Sequence, residues 1–74
     1  MNVGMLWLDD ERDRSLQEKV RRAAEYYQRK YGDMPQLCFV NQTAVAEGER
    51  VDQIDVVPAA YVLPHHFWLG MRES

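Results

Sequence analysis

The sequence contains one cysteine, Cys38, which excludes an intrachain disulfide and any zinc site built on cysteines. Glycine is also scarce. The four residues are scattered, and none is gathered into a loop that could cradle phosphate. Histidine occurs only as the neighbours His65 and His66. Adjacent strand residues point to opposite faces, so no shared metal is expected of them. No apolar run approaches the roughly 20 residues of a membrane span. The opening "MNVGMLWLDD" shows no basic leader and no small-residue cleavage site, so a reduced, cytoplasmic location is expected. No hydroxyl, thiol or imidazole has the companions of a catalytic triad. The expectation is a protein that is not an enzyme, with no catalytic residue, cofactor, metal or membrane contact.

What is present is a dense supply of apolar side chains. They form 46 % of the 74 residues, which suits a folded domain and argues against disorder. The length allows one domain, residues 1–74, near the lower limit for a core without staples. Such a chain often buries more surface by pairing with itself, so a homodimer is expected. The net charge of −3 opposes binding of nucleic acid by the whole surface. The charge is uneven, however, with Lys19, Arg21, Arg22, Arg29 and Lys30 gathered in one segment.

That segment is the best-marked element. Ser15 and Glu18 make a capping box, and apolar residues recur at Leu16, Val20, Ala23, Ala24, Tyr27 and Tyr31. Gly32 and Pro35 end it, so an amphipathic helix is predicted over residues 15–31. "VGMLWL" (3–8) and "QLCFV" (36–40) read as buried strands on either side, a β-α-β unit with parallel strands. "NQTAVAEGERVDQ" reads as a loop with a helical turn near 43–46. "IDVVPA" reads as a strand that Pro58 would end or hold at a sheet edge, and "HHFWLGM" (65–71) as the last strand. The predicted fold is α+β: a mixed sheet of three to four strands, order β-α-β-β-β, with one helix on one face. Leu16, Val20, Ala24, Tyr27, Leu37 and Phe39 are the expected inward residues.

"MLWLDDE" (5–11) resembles the start of response-regulator receiver domains, where paired acids help hold magnesium. That likeness implies a cation at Asp9 and Asp10, but the rest of the receiver pattern is missing. Asp55 stands before or inside its apolar run, and no lysine follows Lys30. Without a cation, Asp9, Asp10, Glu11 and Asp13 serve the positive end of the helix dipole. Across nearly the whole chain, "LWLDD", "LQEKVRRAAEYYQRKYG" and "LPHHFWLG" resemble small bacterial proteins with no assigned activity, and that likeness carries over no site.

One helix of about four turns covers only one face of a sheet, and the aromatic residues exceed what it can shield. The expected function is therefore a self-associating interaction or adaptor module for another protein. Trp7, Phe67, Trp68 and Tyr26 are the candidate contact residues. The alternative is nucleic-acid binding through Arg21, Arg22 and Arg29 on the outer helix face.

Overall fold

The computed structural model describes residues 4–72. The elements are β1 (Gly4–Leu8), α1 (Leu16–Tyr31), β2 (Leu37–Asn41), β3 (Glu49–Val51), β4 (Ile54–Ala59) and β5 (His66–Gly70). Val3, expected to open the first strand, lies outside the described residues. The fold is α+β as read from the sequence, but the sheet has five strands rather than three or four, in the order β1-β5-β2-β4-β3.

The helix forms where its signals placed it. Ser15 Oγ accepts from the Glu18 amide at 3.1 Å. Gly32 ends the helix at φ 88°, a left-handed conformation that costs glycine little, and donates to the Gln28 carbonyl at 2.7 Å. Val20, Ala23, Ala24 and Tyr27 form its buried stripe. The two alanines leave room for close approach to the sheet, where α1 packs mainly on β5.

β1 and β2 share one sheet, but they are not neighbours. β5 lies between them and pairs antiparallel with both, so β1 and β2 run in the same direction one position apart. The core is the helix-facing side of this arrangement: Met5 on β1, Cys38 and Val40 on β2, Ile54 and Val56 on β4, Phe67 and Leu69 on β5.

This corrects the strand 36–40 reading. Leu37 and Phe39 are half-buried on the open face, and Cys38 and Val40 point to the helix. An unbroken apolar run carries no alternation to set its parity, and a shift of one residue exchanges the two faces. Leu16 is only half-buried, at the rim of the core.

The segment read as a loop contributes β3. Its hairpin to β4 turns through Asp52 and Gln53, with Asp52 at φ 55°. A two-residue hairpin turn usually announces itself by Asn-Gly or Asp-Gly. Here aspartate, which tolerates positive φ better than most residues, replaces that signal. Residues 43–46 form no helical turn; the Ala44 amide closes a single turn on the Asn41 carbonyl at 2.9 Å. Pro58 does not end β4. β3 reaches only as far as Val56, so the missing N–H of Pro58 falls where β4 has no partner on that side.

Candidate interaction surfaces

The C-terminal ends of β1, β2 and β4 and the start of α1 meet at one end of the molecule. The acidic pair lies there and is divided. Asp9 is buried, at 6 % exposure, and its carboxylate accepts from Arg14 Nη1 at 3.2 Å and from the Glu11 amide at 3.1 Å. Asp10 points into solvent. The Asp9 amide donates to the His65 carbonyl at 2.9 Å, extending the β1–β5 ladder by one pair. The geometry gives Asp9 a joint-forming role between strand and helix. Replacing Arg14 with alanine would leave that carboxylate buried with one amide donor. The expected loss is about 1–3 kcal/mol in chemical denaturation, and a loss below about 0.5 kcal/mol would show the pair to be dispensable.

The two histidines shape a turn. His65 takes φ 65° after Pro64, and the His66 amide closes the turn on the Leu63 carbonyl at 3.2 Å. His66 Nδ1 lies 2.8 Å from the Pro64 carbonyl. Among the described residues, no three His, Cys, Asp or Glu side chains come together as metal ligands would. At the opposite end, a cavity of about 570 Å³ has charged walls, and several of those charges are paired. Asp55 is bridged by Arg72 and, at 3.6 Å, by Arg50.

The open face of the sheet is different in kind. Strand register lines up Leu6, Trp68, Phe39 and Val57 in one row across β1, β5, β2 and β4. Leu6 is 58 % exposed. Trp68 lies across Gly4, where an added side-chain carbon would come within 2.6 Å of the indole. The chain between β4 and β5 then folds over the lower edge of this row. It places Tyr61, 75 % exposed, with its ring centroid 6.3 Å from that of Phe39. Asn41 Nδ2 fastens the segment by donating to the Val62 carbonyl at 2.7 Å. The result is an apolar groove of about 310 Å³ bounded by Leu6, Tyr61, Val62, Leu63, His66 and Trp68.

No family model, curated protein or solved structure matches this chain. The functional reading therefore rests on the surface itself.

The four contact residues expected from the sequence separate into different environments. Trp68 is half-buried on the open face. Phe67, its neighbour, is 3 % exposed and belongs to the core under the helix, because alternation along β5 sends the two rings to opposite sides. Trp7 and Tyr26 pack together at 4.4 Å between β1 and the flank of the helix, away from the open face. Arg29 lies over the Tyr26 ring at 5.3 Å. Arg21 reaches across to Asp52 at 3.1 Å, tying the helix to the β3–β4 turn, and Arg22 is exposed. Sequence reasoning pointed to the first strand but did not single out its Leu6 and Leu8, nor Tyr61 and Leu63, all of which are exposed. For Tyr61 and Leu63 a signal was available in "AAYVLP", where a tyrosine and a leucine occupy a connection that would ordinarily be polar.

Proposed function

We propose that this chain is a non-enzymatic protein-interaction module that pairs with a second copy through the open face of its sheet and acts as an adaptor for another protein. The observation that carries the reading is the apolar row Leu6–Trp68–Phe39–Val57, flanked by Leu8, Tyr61 and Leu63. Leu6, Leu8, Tyr61 and Leu63 leave on the order of 500 Å² in water, at the upper end for the largest patch on a monomer. Two copies face to face would cover on the order of 1,000 Å² from these four residues alone, enough for a specific interface before Trp68 and Phe39 are added. A closed two-fold pair is the simplest arrangement that covers one such face with another.

Light scattering at tens of micromolar should return about twice the 8.7 kDa chain mass. Tyr61→Glu with Leu63→Glu, both on the exposed connection, should give a monomer with an unchanged circular dichroism spectrum. A wild-type monomer at that concentration would overturn the proposal. The nucleic-acid alternative has less support, because Arg21 is engaged by Asp52 and the acids Glu18 and Glu25 stand among the outward arginines. Binding to mixed DNA and RNA that is tight and falls steeply with salt would favour it instead.

A further inference from the structure

The adaptor reading leaves open where the second protein binds, and the two edges of the sheet differ sharply in this respect. β3, one edge, is three residues long and carries Glu49 and Arg50, the short charged kind of edge that resists pairing. β1, the other edge, is "GMLWL", with no charge and no proline, and its one-to-one register with β5 contains no bulge. It lacks the usual protection of an exposed edge.

The register shows which of its backbone groups are open. In an antiparallel ladder, hydrogen-bonded pairs alternate with non-bonded ones. The Asp9 amide donates to the His65 carbonyl, so Asp9–His65 is a bonded pair, and Trp7–Phe67 and Met5–Leu69 follow at steps of two. Gly4, Leu6 and Leu8 therefore turn their N–H and C=O groups away from the sheet. Among the described residues the outward groups meet only one contact, a long 3.4 Å approach of the Tyr31 hydroxyl to the Gly4 carbonyl. Beside this edge runs a groove of about 440 Å³ lined by Met5, Leu6, Trp7, Tyr26, Arg29 and Lys30. The Trp7 indole N–H in its wall is buried and has no acceptor among the described residues. Arg29 and Lys30 lie over tyrosine rings, and neither makes an ion pair among the described residues. Arg14, Arg21, Arg50 and Arg72 all do.

We propose that β1 accepts an extended acidic segment of a partner protein as a sixth strand. This names the partner chemistry of the adaptor reading and rests on it. Main-chain bonds would be made to Leu6 and Leu8. Alternate side chains of the added strand would fall on opposite faces. Those on the helix side reach Arg29, Lys30 and the Trp7 N–H and are best as carboxylates. Those on the other side lie beside Leu6 and Leu8 and are best as aliphatic groups. The segment is thus one of alternating acidic and aliphatic residues. A second copy of β1 fits less well, since it has no carboxylate and would bring Arg29 and Lys30 of two chains together.

The test uses the isotope-labelled full chain titrated with a ten-residue peptide of alternating glutamate and valine. Matched peptides carry lysine for glutamate, or proline at every second position. Before peptide is added, the Leu6 and Leu8 amides should exchange with solvent faster than those of Met5 and Trp7. The glutamate peptide should shift the Leu6, Leu8 and Trp7 indole signals and slow exchange at Leu6 and Leu8. The lysine and proline peptides should bind at least about tenfold more weakly, and Arg29→Glu with Lys30→Glu should reverse the charge preference. Light scattering on the same samples reports the dimer independently, so loss of one reading does not remove the other. Three results would overturn the proposal: no shift at Leu6 and Leu8 up to millimolar peptide, equal binding of the glutamate and lysine peptides, or a single-stranded oligonucleotide outcompeting the glutamate peptide at the same signals.

Discussion

Replacing Leu69 with alanine is expected to remove about 2–5 kcal/mol of folding stability. A domain of this size holds roughly 4–10 kcal/mol in total, so the variant should be close to half unfolded in mild denaturant. Leu69 is fully buried on β5, the strand that pairs with both β1 and β2 and takes most of the helix packing. Truncation there opens a cavity where three elements meet, and none can move in without breaking a ladder. Urea unfolding followed by circular dichroism measures the loss. Leu37→Ser, on the opposite face of β2, should cost less than half as much, because that side chain is already half in water. Equal losses at the two positions, or a Leu69→Ala loss below about 1 kcal/mol, would contradict the assignment of faces.

Stability is also expected to decline as pH rises above about 9. Burial pushes the Cys38 thiol from its ordinary value of 9.0 up to about 12. The unfolded chain therefore releases this proton from about pH 9 upward, while the folded chain keeps it to about pH 12. Below pH 9 both states hold the proton and the group contributes its full share. Between the two values folding loses about 1.4 kcal/mol per pH unit from this thiol. Burial raises Tyr27 as well, followed by the effects of Tyr31 and Asp33, and adds a loss of the same sign above its ordinary value of 10.0. The check is urea midpoints from pH 7 to 10.5, where Cys38→Ala should flatten the decline that begins near pH 9. A wild-type midpoint that is constant over this range would be the contrary result. The same burial should make Cys38 unreactive toward thiol reagents at pH 8 except at the rate of unfolding.

Both effects depend on features that the sequence shows unequally. Cys38 was legible as a buried hydrophobe because it stands in an apolar run. Leu69 was legible as apolar but not as central, since nothing local shows that the last strand enters the gap between the first two. The same limit explains the contact residues. Trp68 was chosen by its type alone and lies on the open face, and Phe67, chosen on the same ground, belongs to the core.

The sequence by itself determined the helix, with its serine cap, its glycine stop and the stripe of Val20, Ala24 and Tyr27. These are signals between residues three or four apart, and local backbone chemistry is enough to read them. It also determined the α+β class, because one long stripe at helical spacing stands beside short apolar runs bounded by turn residues. Only the tertiary structure decided the insertion of β5, the inward turn of Cys38 and Val40, the extra strand at Glu49–Val51 and the open row of Leu6, Trp68, Phe39 and Val57. Each depends on which strand pairs with which and in what register. That choice is made by contacts between residues up to some sixty positions apart, such as Leu6 and Trp68. In an all-apolar strand either face can serve as the buried one until a partner strand selects it.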